Sequence, residues 1–257
     1  MQQKMSDVSI ERWKLAQSHE KKVWESIGEE WLIKHSKNYL RKAEKITEIA
    51  EKNFKSLKNL RILQIGCGPR DIINEIKSCE KHSIDPLADF YKKKFNFNYD
   101  ETNLIEGVGE NLPYKDNFFD IIIFANVLDH TNNPGKVLSE IKRVLKSKGF
   151  VWLEAHFYQK DFIRLSKIYG FFKKTITGRI FNPCHPYMFQ LYELKNMILQ
   201  DFSTQDERIG EDIEKNFKDL NDIKNAMKKE KFTRKLPAVF GLLGIINYSC
   251  LCRKKEI

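Results

Sequence analysis

The chain has 257 residues, 45 Lys+Arg against 35 Asp+Glu, a formal charge of +10 and 41% apolar residues. With 18 Phe, 9 Tyr and 4 Trp it can fill a sizeable core, which excludes a disordered chain. The length suits one large α/β domain or one domain with additions. Five cysteines without a CxxC pair exclude a disulfide scaffold and argue against structural zinc. No metal is therefore expected, and free thiols suit a reducing cytosol. The amino terminus shows no apolar leader, so a cytoplasmic protein is expected. The stretch 236–252 is short for a membrane span, is interrupted by Asn247 and Ser249, and reads in its second half as a buried strand.

Residues 9–55 read as helix, with Trp13, Trp24, Ile27, Trp31 and Leu32 recurring among charges and no proline. From Asn59 onward, short apolar runs alternate with amphipathic stretches. Strands are predicted at 61–66, 81–85, 102–107, 118–126 and 149–157, and helices at 69–78, 86–95 and 133–149, the last stopped by Gly149. This alternation predicts a doubly wound α/β fold, a mostly parallel sheet with helices on both faces. Residues 158–185 are basic and aromatic and read as a lid insertion. A helix follows at 186–200, a sixth strand at 202–210, a charged insertion at 211–240 and a closing strand from Ile245 to Leu251. The expected organisation is a helical cap at 1–58 and a core domain at 59–257.

Ligands of open parallel sheets bind beyond the carboxyl ends of the strands. After the first strand stands Gly66-Cys67-Gly68-Pro69, where two glycines let the backbone turn sharply beside a ligand. After the second stands Asp85-Pro86, at the spacing where a carboxylate accepts hydrogen bonds from a ribose diol. Val108-Gly109-Glu110 follows the third strand, and Asn126 and His130 follow the fourth. Each loop alone is an ordinary turn or cap. The glycine pair and Asp85 together point to a nucleoside, and the missing third glycine of the dinucleotide fingerprint disfavours NAD and FAD.

RILQIGCGP, SIDP and EGVGENLPYKDNFFDIIIFANVLDHTNNPGKVLSEIKRVLKSKGFVWLEAH resemble the class I S-adenosylmethionine-dependent methyltransferases, most closely the subgroup with the ubiquinone and menaquinone pathway enzymes. The resemblance covers residues 59–157 tightly. It implies a Rossmann-like sheet of seven strands whose last strand is antiparallel, with S-adenosylmethionine as cofactor and S-adenosylhomocysteine as product. It also implies that Gly66 and Gly68 lie against the methionine part, Asp85 holds the ribose hydroxyls, Gly109 and Glu110 border the adenine, and Asn126 offers its carbonyl to the amino group. Gln64 stands where the family usually has an acidic residue, and Val108 where an aspartate often meets the adenine amino group.

His130 sits at a strand end where a general base could act, with His156 and His185 as further candidates and Asp129 as a loop hydrogen-bond acceptor. The expected reaction is methyl transfer to oxygen or nitrogen of a small acceptor such as a sugar, glycan or lipid precursor. The alternatives are an RNA methyltransferase and a non-catalytic cofactor-binding protein. The charge divides unevenly: residues 1–58 carry 13 basic and 9 acidic side chains, 59–156 carry 13 and 14, and 157–257 carry 19 and 12. Basic surroundings of a neutral cofactor region favour an acidic or phosphorylated acceptor, or an anionic membrane surface carrying it, over nucleic acid. Nothing in the sequence fixes an oligomeric state.

Overall fold

The computed structural model describes residues 8–95, 102–210 and 245–255. The charged insertion at 211–240 and the first part of the 236–252 stretch lie outside the described residues. In chain order the elements are α1 (Ile10–Ser26), α2 (Glu29–Lys34), α3 (Ser36–Phe54), β1 (Arg61–Ile65), β2 (Glu80–Asp85), α4 (Ala88–Lys94) and β3 (Asn103–Glu106). There follow β4 (Phe119–Ala125), α5 (Pro134–Val144), β5 (Leu145–Tyr158), α6 (Lys160–Thr177), α7 (Leu191–Asp201), β6 (Phe202–Ile209) and β7 (Ile245–Lys254). The strands form one seven-stranded sheet in the order β3-β2-β1-β4-β5-β7-β6. β1 to β5 pair in parallel, and β7 runs antiparallel to both β5 and β6. This is the Rossmann-like arrangement expected from the sequence.

β4 explains why the sheet is covered on both faces. Its run FDIIIFA is almost entirely buried, and alternate side chains go to opposite layers. Ile122 and Phe124 join the layer under α5 and α7, which buries Val137, Leu138, Ile141, Leu194 and Ile198. Ile121 and Ile123 join the layer under α3, with Ala43, Ile46 and Ala50. A third small cluster, Leu32 with Tyr91 and Phe95, seats the amino-terminal helices on α4.

Four boundaries differ from those read in the sequence. The expected helix at 9–55 is three helices, broken at Ile27-Gly28 and at His35. Glycine inside a helix costs about 1 kcal/mol, and the break brings Trp24 and Trp31 edge to face at 5.9 Å. The helix expected at 69–78 is only a 3-10 turn at Ile73–Glu75. Three β-branched isoleucines in five residues are poor helix formers, and here Ile72, Ile73 and Ile76 are all buried under α3. Gly149 is not a helix stop: α5 ends at Val144 and Gly149 lies inside β5. A Cβ there would stand 2.7 Å from the Asp120 carbonyl oxygen, beside the register shift between β4 and β5. The helix expected at 186–200 begins only at Leu191, where Gln190 and Glu193 form a reciprocal cap.

Candidate active site

The carboxyl ends of β1, β2 and β4 open into a cavity of about 370 Å³. Gln64, Gly66, Cys67, Gly68, Asp85, Pro86, Val108, Gly109, Glu110, Asn126 and His130 all line it. The switch in strand order falls between β1 and β4, where the two chain directions leave a crevice. Opposite these loops stand residues of α1 to α3, among them Trp13, Glu20, Trp31, Asn38, Tyr39 and Lys42. The sequence signalled this wall only as a tryptophan-rich helical cap; which residues would face the cavity depends on the breaks at Gly28 and His35.

The first turn has backbone requirements. Gly66 has φ +66°, and a Cβ there would lie 2.3 Å from Val127 Cγ2. Gly68 N–H donates to Asp85 Oδ2 at 3.0 Å, and Leu87 N–H donates to Oδ1 at 2.8 Å. The two bonds lock Asp85 beside the glycine turn and leave each oxygen a further lone pair. Burial pushes the Asp85 carboxyl up to about 6, partly offset by those two N–H groups. Gln64 Oε1 accepts from Ile73 N–H at 3.0 Å, tying β1 to the turn that replaces the expected helix. Burial raises the Cys67 thiol well above its ordinary value, so it is not a thiolate nucleophile.

The other loops are held by side chains as well. Glu110 Oε1 accepts from the N–H groups of Asn132 and Asn133, so its carboxylate fixes the loop ahead of α5. Asn126 adopts the left-handed conformation, φ 57°. Its side-chain Oδ1 is buried with no hydrogen-bond partner among the described residues. A buried amide oxygen left this way costs on the order of 1–3 kcal/mol unless a ligand or water meets it.

Beyond His130 lies a second group that does not line the cavity. Asp129 is 1% exposed and gathers three imidazoles. His185 Nδ1 lies 2.8 Å from its Oδ2, His156 Nδ1 4.0 Å from the same oxygen and His130 Nε2 3.9 Å from its Oδ1. On the far side His130 Nδ1 is 3.9 Å from Glu20. Burial opposes the charge of Asp129, but the His185 hydrogen bond and the three imidazoles outweigh it and hold its carboxyl below the ordinary value. Burial likewise opposes the charge of His185, but the same bond prevails and raises its pKa. At His156 burial wins and the pKa is lowered.

Distant segments hold this group in place. The Trp13 indole N–H donates to the His130 carbonyl at 3.1 Å. The Arg12 guanidinium donates to the carbonyls of Asn182, Pro183 and His185. The Tyr187 hydroxyl donates to the Asn132 carbonyl at 2.7 Å. Asp129 is thus more than a loop acceptor: it joins α1, the fourth strand end, the end of β5 and the segment before α7.

Comparison with known proteins agrees with this geometry. Residues 63–153 match the methyltransferase domain family. An uncharacterized protein of Methanocaldococcus jannaschii is 35% identical over 98 residues, which cover 38% of this chain and 41% of that protein. This chain therefore aligns with less than half of that relative. A tRNA U34 carboxymethyltransferase of Campylobacter fetus is 29% identical over 189 residues, 67% of each chain. Among solved structures, a proposed sarcosine dimethylglycine methyltransferase from Galdieria sulphuraria superposes with a TM-score of 0.57 at 17% identity, covering 83% of this chain and 85% of that one. The strands whose ends build the cavity lie almost entirely within the segment, residues 63–153, that matches the methyltransferase domain family.

Proposed function

We propose that the protein moves a methyl group from S-adenosylmethionine to an oxygen or nitrogen of a small acceptor seated against His130. The observation that carries this reading is the Asp85 carboxylate, locked by the N–H groups of Gly68 and Leu87 and lining the cavity beside the glycine turn. A ribose diol donates to Asp85, and the backbone carbonyl of Asn126, just past the end of β4, accepts from the ammonium group of the cofactor. Glycines 66 and 68 allow the close approach of its methionine part, and Val108, Gly109 and Glu110 border the adenine. When bound, the cofactor supplies an electrophilic sulfonium methyl. Holding an acceptor in line with that methyl can lower the barrier by ~7–11 kcal/mol. An acceptor hydroxyl must also lose its proton, and His130, which lines the cavity in front of the Asp129 group, stands where this happens.

A small acceptor is supported by α1 to α3, whose residues Trp13, Glu20, Trp31, Tyr39 and Lys42 line a cavity of about 370 Å³. An approach from an anionic membrane is supported by α6. It exposes Phe171 (68%) and Ile176 (78%) together with Leu165, Ile168 and Phe172, among Lys160, Arg164, Lys167, Lys173 and Lys174. Apolar side chains interleaved with cations suit an interfacial helix, whereas no helix among the described residues is long and apolar enough to cross a membrane. A second reading, an RNA acceptor, is favoured by the similarity to the tRNA U34 carboxymethyltransferase.

Methyl transfer from labelled S-adenosylmethionine to fractionated cell extract tests the activity. Label in small-molecule or lipid fractions is expected. Label only in RNA, with filter binding that falls steeply as salt rises, selects the second reading, and the absence of labelled product rejects both.

A further inference from the structure

We infer that Asp129, His130 and His185 form a binding site for one divalent transition-metal ion of the zinc class, with an open coordination position toward the cavity. Carboxylate and imidazole side chains are zinc ligands, and three protein ligands with one free position is the usual catalytic arrangement. One donor atom from each residue lies within 4.8 Å of the other two. A tetrahedral ion ~2.1 Å from each ligand would space them about 3.4 Å apart. The imidazoles approach the carboxylate from its two oxygens, His185 Nδ1 2.8 Å from Oδ2 and His130 Nε2 3.9 Å from Oδ1, so both rings already stand at about the ligand spacing.

A second observation points to a missing ligand. Asp129 Oδ1 and His156 Nδ1 are both buried and lack a hydrogen-bond partner among the described residues. His156 Nδ1 stands 4.0 Å from the other oxygen of Asp129, Oδ2, so one ion can satisfy Asp129 Oδ1 with His156 in its surroundings. The charge also fits. Two carboxylates, Asp129 and Glu20, stand beside His130 and His185, whose imidazoles are neutral when they ligate a metal, and a dication balances the two negative charges. Of the donors His130 alone lines the cavity, which places the open position on the acceptor side.

The ion's role rests on the methyl-transfer reading, whereas its binding does not. An acceptor hydroxyl coordinated at the open position becomes more acidic and releases its proton to solvent. His130 then acts as a ligand, and the coordinated oxygen is held facing the cavity.

The full-length chain, stripped with a chelator, should take up one Zn²⁺ per molecule in equilibrium dialysis. Co²⁺ in its place should give the visible bands of a four-coordinate site. His130→Ala and His185→Ala should each weaken uptake at least tenfold, whereas Asp85→Ala should leave it unchanged. S-adenosylhomocysteine binding measured on the same samples reports folding and the cofactor reading separately. Stoichiometric metal lost in both histidine variants, with S-adenosylhomocysteine affinity kept, supports the site. Wild type that binds S-adenosylhomocysteine without stoichiometric metal overturns the site and leaves the methyltransferase reading standing, as does uptake indifferent to both histidine changes. Metal uptake without S-adenosylhomocysteine binding supports the site and overturns the cofactor reading.

Discussion

The two halves of the cavity are built by different means. On the cofactor side, the contacts come from the backbone and from residues adjacent to strand ends: the left-handed Gly66, the N–H of Gly68 on Asp85, and Asn126 at the end of β4. On the side proposed for the acceptor, Glu20 and His130 line the cavity. The contacts there are between side chains from four separate places, Glu20 in α1, Asp129 and His130 after β4, His156 in β5, and His185 before α7, with Asp129, His156 and His185 standing behind the lining. Backbone geometry leaves a short local pattern in the sequence, whereas a cluster gathered by tertiary folding leaves almost none. The halves should therefore fail differently, one losing affinity for the cofactor and the other losing turnover.

The most severe change on the cofactor side is Gly66→Val. Its Cβ would overlap Val127 at 2.3 Å, and φ +66° is a region that β-branched residues avoid. S-adenosylhomocysteine binding should disappear from calorimetry while the far-ultraviolet spectrum stays that of the wild type. Retained affinity would mean that the turn does not approach the cofactor. On the acceptor side, His130→Ala should lower the turnover rate about 10²- to 10⁴-fold and leave S-adenosylhomocysteine affinity unchanged. An unaltered rate would remove His130 from the chemistry, and an equal loss of affinity would erase the distinction between the halves.

Asp85→Ala is expected to weaken S-adenosylhomocysteine roughly ten- to a hundred-fold, because hydrogen bonds to a charged acceptor contribute ~1.5–3 kcal/mol. Unchanged affinity in calorimetry would sink the ribose assignment. The pH dependence sharpens the same point. With its carboxyl pushed up to about 6 by burial, Asp85 is ionised above that pH and protonated below it. A ribose diol donates to the ionised form, so affinity should be level above pH 6 and fall as the pH drops through it. Stability has the opposite sign: a raised folded-state pKa costs stability as pH rises from the unfolded value toward 6, and the loss is constant above. In Asp85→Asn the affinity step near pH 6 should vanish; a step that persists belongs to another group.

How much of this was legible follows from the same physics. Strand runs, the glycine turn and the carboxylate at the next strand end are local patterns, and all eleven residues read from them line one cavity. The helix expected at 69–78 rests on an amphipathic stretch opened by Pro69, a pattern that does not register the β-branched Ile72, Ile73 and Ile76, which the sheet buries under α3. The stop assigned to Gly149 arose because its true constraint, the Asp120 carbonyl at 2.7 Å, comes from the neighbouring strand. His156 and His185 were visible only as isolated histidines. What gathers them is Asp129, whose neighbour in the chain drew attention to itself and whose own burial no local pattern reveals.

The mildest test concerns the contact between the cap and the acceptor side. Trp13→Phe keeps an aromatic ring at this half-buried position and removes the indole N–H that meets the His130 carbonyl at 3.1 Å. A neutral hydrogen bond of this kind contributes ~0.5–1.5 kcal/mol, so denaturant unfolding should show a loss of that size. The carbonyl sits on the turn that carries both Asp129 and His130, and slackening that turn shifts the imidazole without touching Asp85 or the glycine loop. Turnover should consequently fall severalfold with S-adenosylhomocysteine affinity preserved. A loss of affinity as large as that of Asp85→Ala would instead make α1 part of the cofactor side, and the division between a backbone-built half and a side-chain-built half would have to be drawn elsewhere.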